Sequence, residues 1–408
     1  MYSTHTLRNG LRVIHLHDAS PVIYCGLAVS AGSRDEREGD EGLAHFCEHV
    51  TFKGTNRRRA WHVLNCLERV GGDLNAFTNK EETVYYAAIL REHLPRAVDL
   101  LVDIVLHSTY PQAEIEREVE VICDEIESYH DSPAELIYDE FDNLLFRGHP
   151  LGHNVFGTAE RVRSFTTEDA RRFADLHYRP ENMVFFAYGD IRFQRLVQLL
   201  ERATSDWPEA LPHLSEDTSL TLPASPAGRF EQVRHTHQAH VMTGCRAYAV
   251  HSDRRIPLYL LNNMLGGPGM NARLNLSLRE RHGLVYTVES SMVSYGDTGA
   301  WSVYYGCDHH HVERCLRLVE RELRRVTEHL LTDSQLAAAK RQLKGQIGIA
   351  NDARESFALS FAKSYLHYGW ERDVERLYAN IDAVTASQIQ EVAAELFAPE
   401  KLTTLVFS

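Results

Sequence analysis

A chain of 408 residues exceeds what one hydrophobic core usually supports, and 44% hydrophobic with 25% charged residues is the balance of a globular protein of two or more domains. A formal net charge of -14, with no basic run longer than Arg57-Arg58-Arg59, excludes a general polyanion binder, so no nucleic-acid partner is expected. Seven cysteines without a CxxC pair exclude a disulfide scaffold, and the absence of an apolar run of ~20 residues leaves no membrane span to expect.

The chain opens on MYSTHTLRNGLRVIHLH, a strand-turn-strand pattern around Asn9-Gly10 without a charged-then-apolar leader, so a cytoplasmic location is expected. A strand, VIYCGLAVSAG, precedes helices near 41–54 and 58–70; paired strands around LNAFTNKEETVYYAAIL and helices from Pro95 to about 147 follow. Residues 165–183, FTTEDARRFADLHYRPENM, read as a capped helix and a Pro-Glu turn leading into the strand MVFFAYGD. Residues 206–228, rich in Pro, Ser, Thr and Asp without period, read as a linker.

The second half runs through the same order: the strand AHVMTGCRAYAV, helices near 257–265 and 271–281, strands through VYTVESSMVSYGDTGAWSVYYGCD, and helices from about 311 to 368. It closes on VTASQIQEVAAELFAPEKL at 384–402, which repeats 165–183 at one offset of 219. Thr166 falls on Thr385, Ala174 on Ala393, Tyr178 on Phe397, Pro180 on Pro399 and Glu181 on Glu400. Two homologous domains are therefore expected, 1–205 and 229–408, each α+β with a largely antiparallel sheet and helices packed on one face. Gly-Gly-Pro-Gly at 266–269 contains a proline and follows a helix, which makes it a turn and not a dinucleotide loop.

Chemistry concentrates in HFCEH at 45–49. At 100° per residue His45, Glu48, His49 and Phe52 share one helical face, so two imidazoles can grip one ion with a carboxylate beside them, while Cys47 points away. Neutral nitrogen ligands, an open coordination position and a nearby carboxylate are what a hydrolytic metal site needs. In 114–127, EIEREVEVICDEIE, the apolar stripe Ile115, Val119, Val121, Ile122 and Ile126 takes in Glu118 and Glu125, while Glu116, Glu120, Asp124 and Glu127 lie opposite. Two inward carboxylates require an arginine partner or a metal ion, unless the stripe is shallower than its pattern.

The sequence resembles the inverzincin metallopeptidases, the family of pitrilysin, insulin-degrading enzyme and mitochondrial processing peptidase. The similarity spans essentially the whole chain and includes HFCEHVTFKGT at 45–55, GGDLNAFTNKEETVYY at 71–86, EREVEVICDEI at 116–126 and LRERHGLVY at 278–286. It implies a zinc-dependent endopeptidase acting on peptides or unfolded segments. One zinc ion per chain would be held by His45, His49 and Glu125, Glu48 would activate the attacking water, and Glu118 would be either an outer partner of a ligand or a proton-handling group.

The resemblance further implies that Leu74-Asn75-Ala76-Phe77 forms the edge strand to which a peptide adds, with Asn75 and Ala76 against substrate. Arg279 and Tyr286 match a pair that binds substrate and steadies the carbonyl oxygen. Read without the family, Asn75 and Phe77 are turn and core residues, and Arg279 and Tyr286 a surface arginine and a half-buried strand tyrosine. Family members of this length form two-subunit clamshells, so a homodimer enclosing a chamber is expected, with Arg279 and Tyr286 reaching the partner's zinc site. The alternative is a non-catalytic structural subunit of the same fold. Matching Gly54 to Gly267 puts Leu258, Leu261 and Asn262 opposite His45, Glu48 and His49, and Gln346 falls opposite Glu125, so the second half lacks a ligand set. His309, His310 and His311, being consecutive, are expected to diverge around a helix.

Overall fold

A computed structural model describes residues 1–207 and 222–408; most of the expected linker, 208–221, lies outside the described residues. The chain divides into two compact units, each with its own sheet and core. The first comprises Met1–Ser128, the described residues from 153 to 207, and Asn351–Arg372. The second comprises Tyr129–Gly152, the described residues up to Ala350, and Asp373–Ser408. Each unit thus draws one segment from the other half of the chain.

In the first unit the Asn9-Gly10 turn forms as its chemistry dictates. Gly10 takes a φ of 89°, open to glycine, and Leu7 N–H donates to the Leu11 carbonyl, so β1 (Tyr2–Thr6) pairs antiparallel with β2 (Arg12–Leu16). With β3 (Val22–Val29), β4 (Asp73–Thr78), β5 (Thr83–Leu90) and β6 (Met183–Tyr188) they make a six-stranded sheet, order β1-β2-β6-β3-β5-β4. Only β2 and β6 run parallel. Against one face lies the main core, where Phe46 and Val50 of helix Leu43–Thr51, Leu101 of helix Leu94–Leu106 and Ile122 of helix Gln112–His130 join Phe185 of β6.

The other face of this sheet is covered as well. Val184 and Phe186 of β6 pack with Ala358, Phe361 and Ala362 of helix Arg354–Tyr368, supplied by the second half. An unbroken apolar run such as MVFFAY is the pattern of a strand buried on both faces. To the helices expected on one face, each unit therefore adds one on the other.

The second unit holds β7 (Gly228–Gln232), β8 (Ala239–Ala247), β9 (Val285–Ser294), β10 (Gly299–Cys307) and β11 (Thr403–Phe407), order β7-β11-β8-β10-β9. Only β7 and β11 run parallel, so the sheet repeats the first without a counterpart of β1. Its second face is covered by helix Pro133–Leu145, whose Leu136, Ile137, Phe141 and Leu145 meet Met242, Leu405 and Phe407. The sequence repeat is visible in atomic detail. Helix Thr167–His177 starts on Thr166 with Asp169 closing a capping box, and helix Ala386–Leu396 starts on Thr385 with Gln388 in that role. A 3-10 turn opening on Pro180 or Pro399 then leads into β6 or β11.

Several elements differ from the sequence expectations. The helix expected near 271–281 includes a π-helical turn, Asn275–Glu280, in which Arg281 N–H donates to the Leu276 carbonyl five residues back; an apolar period cannot separate one such turn from an α-helical one. Helix Phe193–Ala203, which buries Leu196 and Leu200, helix Val374–Ala383, which buries Ile381, and strand β7 have no counterpart in those expectations. Among the described residues, no helix is long and apolar enough to cross a membrane.

Candidate functional site

Helix Leu43–Thr51 sets His45 and His49 one turn apart, ring centroids 4.6 Å from each other. Helix Gln112–His130 brings Glu125 to them: its Oε2 lies 3.3 Å from His49 Nε2 and 3.8 Å from His45 Nε2. Two ligands bound tetrahedrally at about 2.0–2.1 Å from one ion stand about 3.3 Å apart, so this spacing fits a zinc-sized cation. Three protein donors leave a fourth position open, and two imidazoles with one carboxylate suit a borderline-soft metal. Among the described residues one other group brings three donor atoms within 4.8 Å, Asp308, His310 and His311. There the expected divergence is not seen, because the His310 and His311 rings lie 3.9 Å apart; Asp308 and His310 are exposed and His311 is half-buried.

Of the two carboxylates expected to turn inward, Glu118 is buried but Glu125 is not, its side chain being 44% exposed where the stripe reaches the surface, and the two are answered differently. Glu118 Oε1 lies 3.0 Å from His49 Nδ1, and its Oε2 lies 2.5 Å from Lys53 Nζ, so its cationic partner is a lysine and not an arginine. Glu125 has ion pairs only with the two imidazoles among the described residues. Glu118 accepts from Nδ1–H, which fixes the His49 ring with Nε2 facing Glu125, the nitrogen that becomes a ligand once it gives up its proton. Val121, read as part of the apolar stripe, is 53% exposed, so the stripe is shallower than its pattern on that side.

These contacts set the protonation of the cluster. Burial, with the charge of His49 adding to it, lowers His45 to about 4 and keeps its ring neutral, as a ligand requires. Burial acts downward on His49 too, but its hydrogen bonds to Glu118 and Glu125 prevail and raise it to about 9. The bond from His49 holds Glu125 below the usual carboxylate range. Burial opposes ionisation of Glu118, yet His49 and Lys53 outweigh it and lower its pKa. Burial raises Glu48, partly offset by Thr78 Oγ1, which donates to Glu48 Oε2 at 2.8 Å.

Thr78 ends β4, the edge strand of the first sheet. Asn75 and Ala76 lie mid-strand, opposite Tyr86 and Tyr85 of β5, and no further strand pairs on the other side among the described residues. Asn75 Nδ2 donates to Asp73 Oδ2 at 2.9 Å, and Asn75 is a strand residue, not a turn residue. Cys47 is fully buried with Sγ 3.8 Å from the Ala170 carbonyl, outside the cluster.

Arg279 and Tyr286 belong to the second unit. The π turn and β9 bring them together, the guanidinium 5.7 Å from the ring centroid, and Tyr286 is 83% exposed, not half-buried. In that unit helix Arg255–Gly266 follows β8 as helix Leu43–Thr51 follows β3. It presents buried Leu258 and Leu261, with Asn262 accepting from Trp301 Nε1 at 3.0 Å and donating to the Ser290 carbonyl at 3.2 Å. Sequence reasoning did not single out Lys53, Thr78 or Glu36. The first two fall inside HFCEHVTFKGT and GGDLNAFTNKEETVYY, but no spacing rule marked them.

Residues 12–159 match the family described as Insulinase (Peptidase family M16), and residues 164–343 match the Peptidase M16 inactive domain. The chain is 34% identical over 400 residues to an uncharacterised zinc protease of Streptomyces coelicolor, covering 96% of this chain and 86% of that protein. It is 32% identical over 398 residues to the mitochondrial-processing peptidase subunit beta of Bos taurus, covering 95% and 81%. A protease from Helicobacter pylori shares the fold, with a TM-score of 0.91 over 100% of this chain and 99% of that one at 22% identity. The chain belongs to the M16 peptidase family.

Proposed function

We propose that this protein is a zinc-dependent endopeptidase that hydrolyses peptides or unfolded segments, with His45, His49 and Glu125 as ligands of one zinc ion per chain. The convergence of His45 Nε2, His49 Nε2 and Glu125 Oε2 within 4.8 Å, with Glu48 on the same helical face, carries this reading. The names of relatives as zinc proteases support it. A zinc ion in this donor set supplies a Lewis acid that polarises a carbonyl and makes water more acidic.

Glu48 takes the proton of the attacking water and passes it to the leaving amine. Burial moves its pKa upward, in the direction a base working near neutrality needs. Glu118 holds His49 in the ligating tautomer. The free edge of β4 offers main-chain hydrogen bonds to an extended peptide along Asn75 and Ala76, and Thr78 ties that edge to the base, so cleavage has loose sequence preference. Arg279 and Tyr286 bind substrate and donate to the carbonyl oxygen as charge builds on it. The active form is a homodimer enclosing a chamber, with this pair serving the partner's site. The seven free thiols suit the reducing interior of a cell.

A quenched-fluorescent peptide assay with and without chelator tests the reading. Activity lost to chelator and restored by zinc is expected; zinc bound without cleavage of any peptide in a broad library would favour a non-catalytic subunit. Mixing Arg279→Ala and Glu48→Gln chains should restore part of the activity, and no recovery would argue against composite sites.

A further inference from the structure

The first turn of helix Leu43–Thr51 cannot be capped from its own sequence. Its N-cap is Gly42, at φ 95°, and a Cβ there would meet the Phe156 carbonyl oxygen at 2.6 Å. A Cβ at Gly157, on the other side of this contact, would meet the Glu41 carbonyl oxygen at 2.2 Å, so neither position admits a side chain. A Ser or Asp at the cap would normally supply the acceptor for the exposed N–H groups of the first turn. Here Glu36, six residues earlier, supplies it: Oε2 accepts from Gly42 N–H at 3.0 Å and Oε1 from Ala44 N–H at 2.8 Å.

That carboxylate is fully buried and is itself held, since His153 Nε2 lies 2.9 Å from its Oε2 and Lys80 Nζ donates to the His153 carbonyl. The same loop places the Phe156 ring edge-on to His45, centroids 4.7 Å apart at 89°. The two imidazoles of the cluster are therefore fixed by different means. His49 is oriented by Glu118, whereas His45 Nδ1 is buried without a hydrogen-bond partner among the described residues. The placement of His45 rests on its helix and on Phe156.

We propose that Glu36 and His153 are positioning residues for the metal ligands, acting by clamping the first helical turn against the 153–157 loop so that His45 meets Glu125 and His49 at ligating distance. This rests on the zinc reading above and adds to it a support that touches neither ion nor substrate. An outer partner of a metal ligand typically changes affinity or activity about 10–100-fold, which sets the size of the effect.

The test uses the full chain. Glu36→Gln and His153→Ala should each weaken zinc binding, measured by chelator competition, by roughly 10–100-fold, and should alter the visible absorption of the cobalt-substituted protein. Both should lower kcat with KM little changed, and His153→Gln, which keeps an N–H donor, should recover part of the loss. Asp103→Asn, which disturbs another buried carboxylate of this unit, should lower the melting temperature but leave the cobalt spectrum as in the wild type. Wild-type zinc affinity and cobalt spectrum in a folded Glu36→Gln chain would overturn the proposal, and His153→Ala decides the matter in the same way if Glu36→Gln does not fold. Failure of the wild-type protein to bind zinc would instead overturn the zinc reading.

Discussion

The helices that follow β3 and β8 occupy equivalent places in the two units, yet their inward faces have opposite chemistry. In the first, His45, Glu48 and His49 are gathered with two carboxylates from a neighbouring helix. In the second, Leu258 and Leu261 are fully buried and one amide, Asn262, is satisfied by Trp301 and Ser290. The second arrangement shows that this fold needs no charge at that place. Buried charges persist only where each is answered, and in the first unit Lys53 answers Glu118 and Thr78 answers Glu48. Glu125, whose side chain is 44% exposed, meets solvent and, among the described residues, pairs only with the two imidazoles, so the fold places no lysine or arginine against it.

The comparison is broken hardest at Glu48. Glu48→Gln should keep one zinc ion per chain by metal analysis while turnover falls about 10²–10⁴-fold; turnover near the wild-type rate would remove Glu48 from its role. Glu125→Gln installs the residue that the second half carries at Gln346 and should weaken zinc binding by more than the roughly 10–100-fold typical of an outer partner. Glu118→Gln should stay within that range. Equal losses from the two variants, measured by chelator competition, would show that the division of roles between these carboxylates is wrong.

Much of this was legible in the sequence because it is local. The turn at Asn9-Gly10, the capped helices at Thr166 and Thr385, and the shared face of His45, Glu48 and His49 follow from spacing alone. The inward turn of Glu118 was read from the wheel, but its partner was not, because Lys53 lies beyond the end of the first helix and reaches Glu118 only through tertiary packing. Thr78, Glu36 and His153 escaped for the same reason: their contacts join segments that no periodicity relates. The crossing of helices Pro133–Leu145 and Arg354–Tyr368 to the sheet of the other half was likewise invisible, since an apolar face does not name the sheet it will cover.

In the second unit the expected effect is on stability alone. Asn262→Leu leaves the Trp301 indole N–H without its acceptor and the Ser290 carbonyl without its donor, which should destabilise by about 2–3 kcal/mol in denaturant unfolding. Zinc affinity should be unchanged. A variant as stable as the wild type would mean that the amide is not what holds this helix to its sheet.

A smaller effect separates the two crossing helices by pH. On the first sheet, Glu82 is buried and accepts from Lys363 Nζ at 2.7 Å and pairs with His367 Nε2 at 3.0 Å, both from helix Arg354–Tyr368. Burial opposes its ionisation, but the bonds from His367 and Lys363 prevail and hold it at about 2, below the ordinary 4.5. A carboxylate lowered on folding stabilises above its unfolded pKa, and that contribution fades as pH falls from about 4.5 through about 2. On the second sheet, helix Pro133–Leu145 is held by Arg246 donating to the Leu145 carbonyl, a bond that acid does not remove, and the bonds from Tyr138 to Glu289 and from Gln232 to Glu140 come from neutral donors and not from cations. Glu82→Gln should therefore cost about 1–2 kcal/mol at neutral pH and progressively less below pH ~4.5. In hydrogen exchange, amides of 354–368 should lose protection between pH 5 and 3 before those of 133–145, on an acid scale of about the shift cited. Equal loss in both helices would show that the Glu82 clamp contributes nothing specific to the first unit.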